Sequence, residues 1–294
     1  MRPAVHPVLI GPTGAAGTAA PRAQVRFGAE RLSLIAGPCV LEDEGMATEV
    51  ARELVRITGA LGIPFVFKAS YTKANRSAAA SYRGPGLDQG LAALARVRDA
   101  AGVPITSDVH ESEEVPEAAA VLDLLQIPAF LCRQTALIEA AGASGKPVHL
   151  KKGQFLDPAS MARAVEKARG AGASGVVVTE RGTTFGYGDL VVDFRGFGIM
   201  SGFGCPVFFD ATHSVQRPGG VETGGQREFI PLLARAAVAA GVDGIFLETH
   251  PDPPRAKSDR DCQWPLARVE ALLRSLLKIR EAAADTWAME EQRA

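Results

Sequence analysis

The chain has 294 residues and a formal net charge of −1, with 32 basic residues against 33 acidic residues. Hydrophobic residues make up 47% of the sequence, which fits a globular protein and excludes a largely disordered chain. The balanced charge gives no indication of a nucleic-acid or membrane partner, and the sequence contains no apolar run of about 18 residues that could span a bilayer. We therefore expect neither partner.

The cysteines and the N-terminal sequence indicate the cellular location of the protein and the boundary of its domain. Four cysteines are widely spaced and form no CxxC pair, namely Cys39, Cys132, Cys205 and Cys262. So few cysteines in a chain of this length do not form a disulfide scaffold, so we expect a reducing, cytoplasmic location. The N-terminus contains no continuous apolar core of signal-peptide length. We predict a flexible, Pro/Gly/Ala-rich extension over residues 1–28 and one catalytic domain over residues 29–294.

From about residue 31, short apolar runs alternate with Ala-, Leu-, Glu- and Arg-rich stretches that have helical spacing. The apolar runs, predicted as strands, are residues 32–36, 64–68, 103–107, 122–127, 148–150, 175–179, 206–209 and 244–247. The clearest predicted helices are residues 45–61, 87–101, 158–171, 229–240 and 266–283. Continuous apolar strands are typical of a parallel sheet that is buried on both faces. Eight such strands predict an α/β protein with a single-domain (β/α)8 TIM-barrel fold.

A doubly wound open sheet is the alternative architecture. It predicts about five to seven strands and usually a glycine-rich first turn. The first predicted strand here instead runs into Gly37, Pro38 and Cys39, which is not that turn. The barrel is therefore favoured, and its catalytic residues are expected at the C-terminal ends of the strands.

Each predicted strand ends in, or is closely followed by, at least one polar or ionisable residue. In strand order these residues are Cys39; Lys68, Ser70 and Lys73; Asp108 and His110; Gln126; Lys151; Arg181; Asp210 and His213; and Glu248. One such residue is ordinary for a loop. Residues of this kind after all eight strands predict one functional site at the C-terminal end of the barrel.

The cations of this predicted site suit anionic substrates. They are Lys68, Lys73, Arg76, Lys151 and Arg181, which is more positive charge than one carboxylate requires. Phosphate groups fit them better, because Arg offers paired donors and Lys a compact charge. The sequence has no P-loop motif, so nucleoside triphosphate chemistry is not supported.

A second group of residues has the character of a metal site. Cys39, His213 and Glu248 follow strands one, seven and eight, which are neighbours once a barrel closes. An aspartate shortly after the eighth strand would complete a set of thiolate, imidazole and carboxylate ligands. Such a mixed set suits a divalent transition metal such as Zn²⁺, Fe²⁺, Mn²⁺ or Co²⁺.

Three choices stay open in this metal set. The aspartate is either Asp259 or Asp261, since both follow the eighth strand. His110 and His250 are rival imidazoles. Cys39 is, alternatively, an inert buried residue of the core.

Six segments of the chain carry a specific family resemblance. They are FKASYTKANRSAAASYRGPGLDQG (67–90), ITSDVHE (105–111), LLQIPAFLCRQT (124–135), HLKKGQF (149–155), FFDATHSVQRPGG (208–220) and FLETHPDP (246–253). Together they resemble the 3-deoxy-D-manno-octulosonate 8-phosphate (KDO-8-phosphate) synthases, in order, from about residue 34 to residue 273. The resemblance implies a (β/α)8 barrel that condenses phosphoenolpyruvate with D-arabinose 5-phosphate and water. The products are the eight-carbon sugar acid phosphate, used for the KDO of lipopolysaccharide, and inorganic phosphate.

The resemblance also implies roles for residues at the predicted barrel end. Phosphoenolpyruvate would be held by Lys68, Ser70, Lys73, Gln126, Ala129, Lys151 and Arg181. Arabinose 5-phosphate would meet Asn75, Arg76 and Ser77, with Arg133 reaching in from a neighbouring subunit of an expected homotetramer. Phe130 and Gln216 complete the expected substrate-binding set. The candidate catalytic residues are Lys68, Lys73, Asp108, His110, Lys151 and His213.

The family that the sequence resembles divides into two classes by the residue that follows the first strand. One class has Cys there and needs a metal, whereas the other has Asn and needs none. Cys39 places this chain with the metal-dependent class. The resemblance then implies His213, Glu248 and Asp259 as the remaining ligands.

Two other functions are alternatives. The nearer one is the sister enzyme, 3-deoxy-D-arabino-heptulosonate 7-phosphate synthase, which acts on erythrose 4-phosphate. The Lys-Ala-Asn-Arg-Ser run at residues 73–77 argues against it, because the sister enzyme has a Lys-Pro-Arg run there. The second alternative is a barrel that binds a sugar phosphate without turning it over, which the predicted metal set and the water requirement disfavour.

Overall fold

The structure, a computed structural model, describes residues 5–12, 24–28, 30–75, 81–184, 188–217 and 224–291, and only the backbone over residues 285–291. Within these ranges eight parallel strands form a barrel: β1 (Ser33–Gly37), β2 (Phe65–Lys68), β3 (Ile105–Asp108), β4 (Leu124–Ile127), β5 (Val148–Lys151), β6 (Val176–Glu180), β7 (Val207–Asp210) and β8 (Gly244–His250). Each strand pairs with the next one in the sequence. The barrel closes because β8 pairs with β1 as well as with β7. The predicted (β/α)8 fold is confirmed, and the doubly wound alternative is wrong.

A helix follows each strand. The helices are α1 (Glu44–Leu61), α2 (Leu87–Ala101), α3 (Val115–Val121), α4 (Thr135–Ala143), α5 (Met161–Ala171), α6 (Arg195–Ser201), α7 (Ile230–Ala239) and α8 (Val269–Glu291). Helix α1 begins where Asp43 accepts a hydrogen bond from the backbone of Met46 and ends at Gly62, whose left-handed φ of 65° suits glycine. In the described ranges, none of the helices combines the length and the apolar character that crossing a bilayer requires.

The apolar core has two parts because successive residues of a strand face opposite sides of the sheet. Leu34 and Ala36 of β1 belong to the larger cluster, which lies between the strands and the surrounding helices. Ile35, between them, belongs to a smaller cluster with Val66 and Phe208 of other strands. This smaller cluster fills the interior of the barrel.

A short hairpin covers the N-terminal end of the barrel. Val8–Ile10 pairs antiparallel with Val25–Phe27, and the Phe27 ring centroid lies 4.9 Å from that of Phe208. A side chain added at Gly175, just before β6, would come within 2.7 Å of Val8, so the hairpin packs closely against the strand beginnings. The predicted boundary at residue 28 stays a prediction. Residues 13–23 of the predicted extension lie outside the described residues.

Candidate active site

A cavity of about 480 Å³ opens at the opposite end, where the strands terminate. The predicted residues that line it are Lys68, Lys73, Asn75, Asp108, His110, Gln126, Ala129, Phe130, Lys151, Arg181, His213, Gln216, Glu248 and Asp259. They converge because all the parallel strands of a barrel end at the same edge. The structure therefore brings most of the predicted site together.

The predicted metal ligands meet on one side of this cavity. One ligand atom each from Cys39, Glu248 and Asp259 lie within 4.8 Å of one another, and Cys39 Sγ is 3.1 Å from Asp259 Oδ2. His213 Nε2 lies 3.6 Å from Glu248 Oε2 and 3.8 Å from Asp259 Oδ2. All four predicted ligands are thus adjacent, with His213 at the edge of the cluster.

Asp210 orients the His213 ring toward this cluster. Its Oδ2 is 2.7 Å from His213 Nδ1, and its Oδ1 accepts the backbone N–H of both Thr212 and His213. Burial alone would raise the pKa of Asp210, but His213 and Lys151 outweigh it and hold that pKa well below its ordinary value. An ionised carboxylate only accepts hydrogen bonds, so Nδ1 is the donor to Asp210 and Nε2 is the ring nitrogen that faces Glu248 and Asp259. A carboxylate behind the ring is typical of metal-binding histidines.

The residues present fit a divalent transition metal. Glu248 is fully buried, and its Oε2 has no hydrogen-bond partner among the described residues. Burial, followed by the charge of Glu248, raises the pKa of the Cys39 thiol well above its ordinary value. A buried carboxylate oxygen without a hydrogen-bond partner, close to a thiol and a second carboxylate, indicates a cationic ligand that would also favour the thiolate when bound. The donor set of sulfur, nitrogen and oxygen is the kind that Zn²⁺ and its neighbours take.

Between the two aspartates, Asp259 joins the cluster, whereas Asp261 is exposed. Among the described residues other than glycine, Asp259 is the one with a positive φ, 46°. This left-handed backbone is unfavourable for an L-residue, so the loop holds the aspartate in a conformation that a free chain rarely adopts. His250 lies elsewhere, because its Nδ1 accepts the backbone N–H of Asp252 and its Nε2 is 3.9 Å from Glu42.

The other rival imidazole, His110, lines the cavity apart from the metal ligands. Its ring stands edge-on to that of Tyr71, with centroids 6.1 Å apart. His110 Nδ1 is 3.8 Å from Glu114 Oε2, and the backbone N–H of His110 donates to the same oxygen. Glu114 therefore fixes His110 beside the cavity.

Two lysines lie between buried carboxylates. Lys68 Nζ is 2.5 Å from Glu248 Oε1 and donates to the carbonyl oxygen of Cys39. Lys73 Nζ is 3.7 Å from Asp108 Oδ2 and 3.9 Å from Glu248 Oε1. Burial alone would raise the pKa of Asp108, but Lys73 and Lys68 outweigh it and hold that pKa well below its ordinary value. Asp108 is therefore ionised and stabilises the cations of the site.

Lys151 forms an ion pair with Asp210 and places its ammonium over the ring of Phe246, 3.3 Å from the centroid. Burial lowers the pKa of Lys151 to about 8, against the opposing effect of Asp210. A lysine with such a pKa can give up or accept a proton near neutral pH.

The guanidinium of Arg181 is held from three directions. Its Nη1 donates to Gln154 Oε1 at 2.9 Å, and its Nη2 donates to the carbonyl oxygen of His213 and to Gln216 Oε1. The backbone N–H of Arg181 donates to Glu180 Oε1 at 2.9 Å. Burial lowers the pKa of Arg181 below that of a free arginine. The loop after β6 thereby fixes a cation in the cavity wall.

Some predicted residues lie elsewhere. Arg76 and Ser77 are outside the described residues, so their roles stay predictions. Ser70 is fully buried and donates to Asp108 Oδ2 at 2.6 Å. Arg133 is exposed in the single chain and is absent from the lining of the cavity, as far as the described residues show. Its expected reach into a neighbouring subunit stays a prediction.

Sequence reasoning missed several residues of the site. Gln154, Lys257, Ser258 and Arg260 line the cavity without having been predicted. Ser258 Oγ lies 2.9 Å from Cys39 Sγ. Lys257, Ser258 and Arg260 could have been predicted because they are close to Asp259 in the sequence. Gln154 follows the fifth strand but is uncharged, so it did not stand out among loop residues.

Comparisons with known proteins agree with this geometry. The chain matches the profile of the DAHP synthetase I family over residues 16–284. It is 56% identical over 248 residues to the 2-dehydro-3-deoxyphosphooctonate aldolase of Acidithiobacillus ferrooxidans, which covers 84% of this chain and 88% of the relative. Proteins with the same name from Methylobacillus flagellatus and Azoarcus sp. are 57% identical over 252 residues, covering 84% of this chain and 90% of each relative.

Proposed function

The chain belongs to the DAHP synthetase I family, and we propose that it is a KDO-8-phosphate synthase of the metal-dependent class. It condenses phosphoenolpyruvate with D-arabinose 5-phosphate and water to give 3-deoxy-D-manno-octulosonate 8-phosphate and inorganic phosphate, for the KDO of lipopolysaccharide. The observation that carries the proposal is one cavity in which buried cations line the wall beside His213, Glu248 and Asp259, with Cys39 adjoining the two carboxylates. The names of relatives 56–57% identical to the chain support the eight-carbon product.

We assign phosphoenolpyruvate to the cationic wall of the cavity. The assigned set is Lys68, Ser70, Lys73, Gln126, Ala129, Lys151 and Arg181, of which all but Ser70 line the cavity. Arg181 supplies paired donors and the lysines supply compact charges for the phosphate and the carboxylate. A cavity of about 480 Å³ suits small substrates of this kind.

We assign arabinose 5-phosphate to the loop that carries Asn75, Arg76 and Ser77, with Arg133 supplied by a neighbouring subunit of a homotetramer. Asn75 lines the same cavity as the cationic wall, which supports a second substrate next to the first. A cytoplasmic location belongs to the same proposal and is supported by four cysteines that are free and buried.

We assign the divalent metal to Cys39, His213, Glu248 and Asp259. When bound, such an ion acts as a Lewis acid toward a substrate oxygen or a water molecule. The neighbouring residues position the ligands, because Asp210 Oδ2 pairs with His213 Nδ1 and leaves Nε2 facing the cluster, and Lys68 balances the charge of Glu248. Zn²⁺, Fe²⁺, Mn²⁺ and Co²⁺ all suit this donor set.

The side chains account for the remaining demands of the reaction. A carbon–carbon bond forms between C3 of phosphoenolpyruvate and the aldehyde carbon, water adds to C2, and the bond from C2 to the phosphate oxygen breaks. The enol carbon is a weak nucleophile, so the cations must hold it against the aldehyde. Lys151 Nζ, with its pKa of about 8, is the group placed to hold or move a proton. Asp108 anchors Lys73 by charge and accepts hydrogen bonds from Ser70 and Gln126.

Phosphate release from purified protein tests this proposal. We expect release with phosphoenolpyruvate plus arabinose 5-phosphate, loss of release after treatment with a chelator, and recovery when Mn²⁺ or Co²⁺ is added back. Faster turnover of erythrose 4-phosphate would assign the protein to the sister activity. Thermal stabilisation by both substrates without phosphate release would indicate a barrel that binds sugar phosphates without turning them over. Full turnover by rigorously metal-free protein would refute the assignment to the metal-dependent class.

A further inference from the structure

Gln216 bridges the two halves of the site. Arg181 Nη2 donates to Gln216 Oε1, and Gln216 Nε2 donates to Asp259 Oδ1 at 3.3 Å. One partner belongs to the cationic wall and the other to the metal cluster. A single side-chain amide therefore touches both.

The orientation of this amide is forced by its partners. A guanidinium only donates hydrogen bonds, and a carboxylate only accepts them. The carbonyl oxygen of Gln216 must therefore face Arg181, and its amide nitrogen must face Asp259. Exchanging the two ends would break both hydrogen bonds at once.

The contact with Asp259 decides which carboxylate oxygen faces the metal cluster. Oδ1 is taken by Gln216, which leaves Oδ2 toward Cys39 Sγ, 3.1 Å away, and His213 Nε2, 3.8 Å away. Without the hydrogen bond to Oδ1, the carboxylate could rotate about its last bond. Hydrogen-bond partners behind a ligand commonly affect metal affinity in this way.

The contact with Gln216 is one of three side-chain and backbone hydrogen bonds that orient the Arg181 guanidinium. Gln154 takes Nη1, and the carbonyl oxygen of His213 shares Nη2 with Gln216. Loss of Gln216 would leave Nη2 with one acceptor where it now has two. The guanidinium would then be less firmly held in the orientation that faces the cavity.

We propose that Gln216 is a positioning residue that holds Asp259 for the metal and Arg181 for the substrate anion simultaneously. The inference rests on the proposed function for the identity of that anion, phosphoenolpyruvate. Its consequence is specific: one substitution on the rim of the metal cluster weakens the binding of two chemically different ligands.

The test uses Gln216→Met, which keeps the length of the side chain and removes both polar atoms. Each affinity is measured without the other ligand, so that their charges do not influence each other. Co²⁺ binding to substrate-free protein is followed by the thiolate-to-cobalt absorbance, and phosphoenolpyruvate binding to metal-free protein by calorimetry. We expect Co²⁺ affinity to fall by about tenfold and phosphoenolpyruvate affinity by about fivefold.

Two other glutamines are matched controls because each touches one half of the site. Gln154 contacts Arg181, so Gln154→Met should weaken phosphoenolpyruvate binding and leave Co²⁺ binding unchanged. Gln263 Oε1 accepts the backbone N–H of Cys39 and its Nε2 donates to Ser258, so Gln263→Met should weaken Co²⁺ binding alone. Gln216→Asn, too short to reach both partners, should reproduce the double loss and serves if the Met variant fails to fold.

The inference is overturned if the folded Gln216 variants keep either affinity within about twofold of the parent protein. A parent protein that releases no phosphate from phosphoenolpyruvate and arabinose 5-phosphate would instead refute the proposed function. Thermal unfolding of each variant separates these outcomes from a loss of structure.

Discussion

The same eight strands form both ends of the barrel. The packing at one end is apolar, whereas the other end buries charged side chains. At the N-terminal end, Phe27 of the hairpin packs against Phe208 in a wholly apolar cluster. At the C-terminal end, Lys68 and Glu248 are buried to 1% and 0% exposure. Apolar burial stabilises a fold directly, whereas a buried ion pair contributes little net stability because desolvation offsets the attraction.

The difference indicates which end serves stability and which serves chemistry. Burying a charge costs desolvation free energy. Ionisable groups with shifted pKa values are therefore most common where a protein binds a ligand or catalyses a reaction. In this barrel the pKa values of Asp108, Lys151 and Glu248 are all shifted at the C-terminal end. At the hairpin end, burial raises the pKa of Cys205 to about 12, which favours a neutral thiol and so buries no charge. Substitutions at each end and a pH titration of ligand binding test this contrast.

The largest effect is expected for Lys68→Met at the C-terminal end. The substitution removes the cation nearest to the buried Glu248 and leaves Lys73 3.9 Å away, which costs about 3–5 kcal/mol in the free energy of unfolding. Burial raises the pKa of Glu248 and the nearby cations lower it. With Lys68 removed, that pKa should rise from its lowered value of about 2. Denaturant unfolding measures the first effect, and phosphate release should fall by more than about 100-fold. An unchanged midpoint with full activity would show that this end tolerates apolar filling as well as the other end does.

Phe27→Ala should separate stability from function at the N-terminal end. Removing a fully buried phenylalanine costs about 3–4 kcal/mol, because it leaves a cavity against Phe208. Co²⁺ affinity of the folded protein should stay unchanged, since the hairpin lies at the opposite end from the metal cluster. Leu9→Ser is the matched control: this hairpin residue is 50% exposed, so its loss should change stability by about 0.5 kcal/mol or less. A loss of Co²⁺ affinity in Phe27→Ala would contradict the contrast.

The smallest effect concerns the pH dependence of phosphoenolpyruvate binding. Burial lowers the pKa of Lys151 to about 8, so the ammonium is charged below that pH and neutral above it. Affinity for the anion should therefore fall as pH rises through about 8, by at most tenfold per pH unit. Calorimetry of metal-free protein between pH 7 and pH 9.5 measures this. In Lys151→Arg the fall near pH 8 should vanish, because a guanidinium stays charged throughout that range.

The strands were predictable because each is a continuous apolar run. The predicted runs 148–150 and 244–247 correspond to β5 (Val148–Lys151) and β8 (Gly244–His250). The structure extends both strands into polar residues, which hydropathy does not assign to a strand. Backbone pairing inside the closed barrel decides where each strand ends.

The N-terminal hairpin, in contrast to the barrel strands, could not be predicted from the local sequence pattern. Each of its strands has three residues, and a long Gly- and Ala-rich segment separates them where a typical hairpin has a short turn. Its stability comes from Phe27 and Val8 packing against the barrel, which is a contact between distant parts of the chain. Local pattern carries no information about such a contact.

In the site, the residue types were predictable and their pairings were not. Lys151 and Asp210 could each be placed at a strand end, but their ion pair depends on the closing of the barrel. Asp259 and Asp261 are equivalent by sequence spacing, and the left-handed backbone of Asp259 distinguishes them. The bridging amide of Gln216 likewise requires the loops after β6, β7 and β8 to be in place.

The number and order of the strands could be predicted from the sequence, and with them the end of the barrel at which the polar residues meet. Those features depend on hydrophobic periodicity, which is local. The folded barrel was needed to show which carboxylate balances which lysine, which aspartate joins Cys39, and which residues cover the N-terminal end. These pairings depend on distances between residues far apart in the chain, and burial makes those distances energetically decisive.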